Sequence, residues 1–145
     1  SLTLAETATF AARMHSMLTV GGVEFEAERG QNWYDPYVDY LKENEILDTD
    51  LDYLDVATRD QFVSLVFAAV PEDVELERLN RSADFADADD IDDFRAVKAL
   101  CRAGILTGVQ ETDGVYFYPD NLITRGEAIA LITRVVLPEY RVAAE

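Results

Sequence analysis

The stretch "LITRGEAIALITRVV", residues 122–136, sets the reading of the whole chain. Thr124 followed three residues later by Glu127 is a capping box, in which the threonine hydroxyl accepts from the third N–H of a helix and the glutamate reaches back to the cap N–H. The residues beyond are apolar on nearly every side, as expected of a helix enclosed by protein. Thr124 and Glu127 are thereby explained, but Arg125 is not. A cation in the first helical turn opposes the positive end of the macrodipole, at a cost of about a few tenths of a kcal/mol. A group outside this helix is therefore expected to hold the guanidinium, either a carboxylate of the protein or an anionic ligand.

The same signature occurs twice more. "TRDQFVSLVFAAV" (58–70) pairs Thr58 with Gln61, and "TLAETATFAARMH" (3–15) pairs Thr3 with Glu6, at offsets of 66 and 55 residues. A second element also recurs. "WYDPYVDYLKENEIL" (33–47) aligns with "DDFRAVKALCRAGIL" (92–106), so that Val38 matches Val97, Leu41 matches Leu100 and Ile46 matches Ile105. Each predicts an amphipathic helix ending in a helix-stop element, Asn44-Glu45 in one and Ala103-Gly104 in the other. The repeating unit is an amphipathic helix, a loop and a capped apolar helix, with the capped helices central and the amphipathic ones outside. Gly21-Gly22 ends the first helix, and Asp113-Gly114 followed by aromatics and Pro119 predicts a short hairpin or extended arm. The chain divides into the last helix of one repeat (1–22), a second repeat (23–72) and a third (80–140), all within one domain of 145 residues.

Composition narrows the function. Twelve basic and 29 acidic residues give a formal charge of −17, which argues against nucleic acid or an anionic membrane surface as partner. The longest apolar runs, Phe62 to Val70 and Ala128 to Thr133, are too short to span a bilayer. The opening Ser in place of Met reads as a trimmed or mature fragment with no signal peptide. The lone Cys101 excludes an internal disulfide and a cysteine-based zinc site, and its helical setting reads as a buried, inert thiol. His15 is the only histidine and reads as structural, so no acyl-transfer constellation can be assembled. The acidic runs at 48–55 and 84–94 invite calcium, but an EF-hand loop begun at Asp48 would place Tyr53 where glycine belongs and Arg59 where glutamate belongs. Neither a metal nor a cofactor is expected.

Residues 84–138 resemble an S-layer homology repeat, through Phe85 to Asp87, Gly104-Ile105, Phe117-Tyr118-Pro119 and Ile123 to Glu127. Residues 25–70 are similar to a second, more diverged copy with Trp33 present, and residues 1–20 resemble the last helix of another. The resemblance implies an all-α, pseudo-three-fold helical bundle, a three-pronged spindle with short loop or hairpin arms. It further implies a non-catalytic, extracellular module that anchors a bacterial surface protein by binding secondary cell-wall polysaccharide, often pyruvylated. Carried over by position, Arg125 and Arg59 are the anion-binding candidates, each at a helix N-terminus whose N–H groups would share the carboxylate, and Trp33 is the sugar-stacking surface. Two positions depart from the pattern: Leu4 stands where the first arginine belongs, and Asp92 where the tryptophan belongs.

Plainer roles compete at each of these residues. Arg125 can pair with a nearby carboxylate, Arg59 with Asp60 or another acid, and Trp33 can cover the edge of the core. The resemblance leaves one outer helix of the first repeat missing, which predicts either an apolar face near Phe10 and Met14 open to a protein partner or self-association, or that the helix belongs to a longer chain. The alternative function is accordingly a degenerate copy of the fold acting as a structural or protein-interaction domain.

Overall fold

In the computed structural model, which describes residues 1–81 and 84–143, five α-helices follow one another: α1 (Leu4–Val20), α2 (Asp35–Glu43), α3 (Arg59–Ala68), α4 (Phe94–Arg102) and α5 (Arg125–Val136). The part of the third repeat at residues 82 and 83 lies outside this description. Short 3-10 turns cover Ala88–Asp90 and Pro138–Tyr140. Helix is the main regular structure, 45% of the described residues, but the fold is not wholly helical. An antiparallel hairpin joins β1 (Val109–Glu111) to β2 (Gly114–Tyr116), with Glu111 opposite Gly114. Its turn is therefore Thr112-Asp113, one residue earlier than the Asp-Gly pair suggests.

All three capping boxes form. The hydroxyls of Thr3, Thr58 and Thr124 each accept from the backbone N–H of Glu6, Gln61 and Glu127 at 3.1 Å. The residue just before each cap, Leu2, Ala57 or Ile123, is fully buried. Backbone bonds tie these three together: Ala57 N donates to Leu2 O (2.7 Å) and Ile123 N to Ala57 O (3.1 Å). Around this junction α1 packs against α2, α3 and α5, and α3 against α4.

The amphipathic helices are shorter than their repeats. Helix α2 starts only at Asp35, whose carboxylate accepts from Asn32 N at 2.8 Å, and Pro36 fills the first turn, where an N–H is dispensable. Both outer helices end alike. The N–H groups of Ile46 and Leu47 converge on Leu41 O, and those of Ile105 and Leu106 on Leu100 O, each pair at 2.9–3.2 Å. The residue that makes this return possible is left-handed in both, Glu45 at φ 59° and Gly104 at φ 75°.

The Phe-x-Asp and Phe-x-Pro elements lock onto each other. Asp87 accepts from Phe117 N (3.0 Å) and Tyr118 N (2.8 Å), which holds Tyr118 at φ 60°. Phe85 meets the buried Phe117 edge to face, with ring centroids 6.0 Å apart. The open apolar face expected near Phe10 and Met14 is not there. Met14 is buried, and the half-buried Phe10 packs edge-on against Phe62, because α2 and α3 cover α1.

A Cβ at Gly104 would lie 2.5 Å from Val142 O, in a residue whose own carbonyl accepts from Val142 N at 2.8 Å. Gly104→Ala is therefore expected to lower the unfolding free energy by about 1–3 kcal/mol, read by urea denaturation. An alanine at Gly126, where nothing lies within 4 Å, is expected to leave the midpoint nearly unchanged.

Candidate functional site

The site is built from the first turns of the capped helices. Arg59 opens α3 and is buried, with its Nε donating to Phe117 O at 2.8 Å and its guanidinium 5.1 Å from the Phe117 ring centroid. It forms an ion pair with Glu127 of α5. Burial disfavours its charge, and the Asp87 carboxylate works the other way; arginine stays protonated in proteins, and its pairing with Glu127 helps to make burial tolerable. Asp60 does not neutralise it. Asp60 turns away to accept from Asp92 N (2.7 Å) and Asp93 N (3.4 Å), and burial raises its pKa above the ordinary carboxylate range.

Arg125 opens α5 and is exposed. It pairs with Glu6 of α1. The guanidinium that opposes its own helix dipole thus answers the capping carboxylate of another helix. Glu6 is held below the usual glutamate range chiefly by the Thr3 N–H, which it accepts at 3.1 Å, and further by Arg125.

Docking an anion on free helix-start N–H groups is ruled out at two of the three helices. At α3 the N–H of Arg59 donates to Asn121 O (2.8 Å) and that of Asp60 to Pro119 O (3.1 Å). At α1 the N–H groups of Leu4 and Ala5 are filled by Asp55 O and Tyr53 O, at 2.8 and 2.9 Å. Any anion at Arg59 must therefore be held by side chains.

Two grooves flank these helix starts, and equivalent positions line them. The first, a cavity of 280 Å³, runs from the end of α4 (Ile105 to Thr107) to α5, and Arg59, Glu127 and Arg134 face it together with Gly126 and Ala130. The second, of 330 Å³, runs from the end of α2 (Ile46, Leu47) to α3, where the corresponding residues are Leu4, Gln61 and Ala68. One groove has two guanidinium groups and a carboxylate; the other has an apolar floor rimmed by Asp60, Asp92 and Asp93. On α1 the corresponding positions are Glu6, which pairs with Arg125, and Arg13, whose guanidinium lies 5.1 Å from the Tyr37 ring centroid and donates to Tyr37 OH at 2.6 Å. An arginine–glutamate set is thus present twice, with a second arginine in the same groove only beside Arg59, and is absent as a whole once.

Of the residues singled out from sequence, Arg59 and Arg125 each stand at such a set. Trp33 lines neither groove. It is 53% exposed at the head of α2, edge-on to Tyr34 and Tyr37. His15 Nδ1 lies 2.7 Å from Tyr40 OH, and burial lowers its pKa. Cys101 is only half-buried, with its thiol pushed up by burial. Among the described residues no group of His, Cys, Asp and Glu is arranged to hold a metal ion. Glu6 and Glu127 were read from the sequence as capping residues only, and Arg13 and Arg134 were missed. The available signal was the third and tenth letters of "LAETATFAAR" (4–13), "RDQFVSLVFA" (59–68) and "RGEAIALITR" (125–134).

Removing either partner of the Arg59–Glu127 pair leaves the other unpaired, so Arg59→Leu and Glu127→Gln should each destabilise by roughly 2–4 kcal/mol. The double variant reproduces the Leu4/Gln61 combination the chain already tolerates. Its loss should be smaller than the sum of the singles by about 1–3 kcal/mol, read from a double-mutant cycle in urea. For Glu6 the folded-state pKa is depressed, so its stabilisation is present above the ordinary glutamate pKa and lost as pH falls through the depressed value. Glu6→Gln should therefore flatten the acid limb of a plot of urea midpoint against pH.

No curated protein matches the chain. Residues 84–129, which run through α4, the hairpin and the first turns of α5, match the family model of the S-layer homology domain.

Proposed function

We propose that this chain is an extracellular, non-catalytic module that anchors a bacterial surface protein by binding an anionic secondary cell-wall polysaccharide, and that the groove between Arg59 and Arg134 is its principal site. S-layer homology domains are non-catalytic and occur in cell-surface proteins. No helix among the described residues is long and apolar enough to cross a membrane. In this reading the repeats at 23–72 and 80–140, with the helix at 1–22, form a pseudo-three-fold bundle. The observation that carries it is the pairing of two guanidinium groups in one concave groove of a chain whose net charge is −17. Positive charge is scarce here, and a groove that gathers it favours an anionic ligand.

The two arginines have different tasks. Arg59 is buried and committed to Glu127 and Phe117 O, and it shapes the groove wall. Arg134 makes only a long bond, 3.3 Å to Ile105 O, so its fork is available to a carboxylate such as that of a pyruvate ketal. Arg125 supplies a second, weaker anion contact, and the exposed Trp33, outside both grooves, offers a face to a sugar elsewhere along the polymer. The surrounding negative field opposes an anionic polymer, but screening over about 8 Å at physiological salt leaves the local arginines dominant. The 330 Å³ groove, apolar and acid-rimmed, supports a second reading, a protein-interaction role for that side of the molecule.

The test is co-sedimentation with cell-wall sacculi, with and without their secondary polysaccharide. Gly126→Asp places in the cationic groove the residue that α3 carries at the same position, and nothing within 4 Å opposes it. Gly126→Asp and Arg134→Ala should each weaken polysaccharide-dependent pelleting by tenfold or more, about 1.4 kcal/mol, while Leu65→Met in the other groove leaves it intact. Pelleting that persists in Gly126→Asp would overturn this site, and failure of the folded wild type to pellet would favour the protein-interaction reading.

A further inference from the structure

The two grooves occupy equivalent places and carry opposite charge. The groove beside α5 gathers Arg59 and Arg134, whereas the 330 Å³ groove beside α3 is lined by no basic residue. Leu4, Leu47 and Leu65 are buried at its floor, and Asp60, Asp92 and Asp93 rim it. Of these carboxylates Asp60 is only 6% exposed, Asp93 is half-buried and Asp92 is exposed. Among the described residues none of the three is paired with a cationic side chain.

That absence has a cost at Asp60. Burial first, and the charges of Asp92 and Asp93 after it, hold the Asp60 carboxyl above its ordinary range in spite of the two N–H groups it accepts. A buried carboxylate with like charges beside it and no counter-ion favours a cation in the adjoining cavity. The remaining acceptor sites indicate which cation. Each oxygen of Asp60 already takes one N–H, and the two oxygens of Asp93 take Ala96 N and Ser64 Oγ. Only the exposed Asp92 keeps both oxygens clear of other donors among the described residues, so the buried side of the rim offers single acceptor sites on separate carboxylates. These suit the rotatable donors of an ammonium better than the flat fork of a guanidinium, which takes both oxygens of one carboxylate. An ammonium on an alkyl stem also has a use for the leucines beneath, since the stem of lysine packs along apolar surface while its head stays among polar groups.

We propose that this groove binds a lysine side chain of a partner protein, with the alkyl stem against Leu4, Leu47 and Leu65 and the ammonium among Asp60, Asp92 and Asp93. The rest of the cavity accepts an apolar neighbour of that lysine, and the net charge of −17 draws a basic segment towards it. This names the partner for the protein-interaction reading of the groove and rests on that reading, while it is independent of glycan binding at Arg134. One module would then hold an anionic polymer in one groove and a basic protein in the other.

The experiment is an NMR titration of the isotope-labelled chain with N-acetyl-Leu-Lys-Leu-amide and with the two peptides that carry norleucine or glutamate in place of the lysine. The lysine peptide should shift the amides of Ser64, Leu65 and Ala68 and bind about tenfold more tightly than the norleucine peptide, and the glutamate peptide should not bind. Asp92→Asn should weaken the lysine peptide by about fivefold or more and leave the norleucine peptide unchanged. Asp39→Asn, which removes the same charge on α2 outside this groove, should alter neither. Ala68→Arg, which copies the arginine that α5 carries at the same position, should abolish lysine binding by supplying the cation from within. Equal binding of the lysine and norleucine peptides would overturn the proposal and leave an apolar protein-binding groove standing, whereas no shift at these amides with any peptide would remove both. Equal losses in Asp92→Asn and Asp39→Asn would overturn it too, since net charge alone would then account for the attraction.

Discussion

A carboxylate with two oxygens and two duties organises this molecule. Glu127 uses Oε1 to accept from its own cap at Thr124 N and Oε2 to pair with Arg59 of another helix. Glu6 divides its oxygens in the same way, between Thr3 N and Arg125. Each such glutamate stops one helix from fraying and fixes where the next one begins. Where the third position of the box is Gln61, only the first duty can be done, because the second terminal atom of glutamine is an amide nitrogen that donates. The residue facing it is accordingly Leu4 instead of arginine. Capping and inter-helix pairing are therefore one constraint, and the grooves inherit their charge from it.

Much of the fold was legible because its signals are local. A capping box spans four residues, and a left-handed helix stop spans two, so both can be read from a single window. The site was less legible because its unit is not the repeat. Within one repeat the first, third and tenth helix positions read Leu-Glu-Arg, Arg-Gln-Ala or Arg-Glu-Arg, with no obvious rule. Taken across neighbouring helices, the sets become Arg59 with Glu127 and Arg134, Arg125 with Glu6, and Leu4 with Gln61 and Ala68. Only tertiary placement reveals that the substitutions travel together. The hairpin turn was misplaced by one residue for a similar reason. Gly114 at φ 145° is a strand residue facing Ala86, with its Cβ position 3.3 Å from the Ala86 methyl, so tertiary contact decided a register that turn propensity alone does not.

The acidity of the chain has a structural side as well. Asp87 and Asp60 each hold two backbone N–H groups of a segment distant in sequence, Phe117-Tyr118 for one and Asp92-Asp93 for the other. Asp93 in turn caps α4 through Ala96 N and accepts from Ser64 Oγ at 2.6 Å. These carboxylates do the work of loop closure, which charged acceptors perform more strongly than neutral ones. A run such as 84–94 therefore needs no cation to account for its inward-facing members, and a count of acids overstates the charge free to meet a ligand.

The same accounting explains why charge and fold history separate in the two grooves. Replacing an arginine–glutamate pair by leucine and glutamine removes a desolvation penalty together with a Coulombic gain, so the exchange costs less as a set than the two single changes cost together. It changes what the groove offers a ligand, because the exchange removes the Arg59–Glu127 wall beside which Arg134 stands. One groove holds Arg59, Glu127 and Arg134 together, whereas the other carries Leu4, Gln61 and Ala68 with α3 packed all the same, so the packing of the helices does not by itself fix the charge of the groove between them.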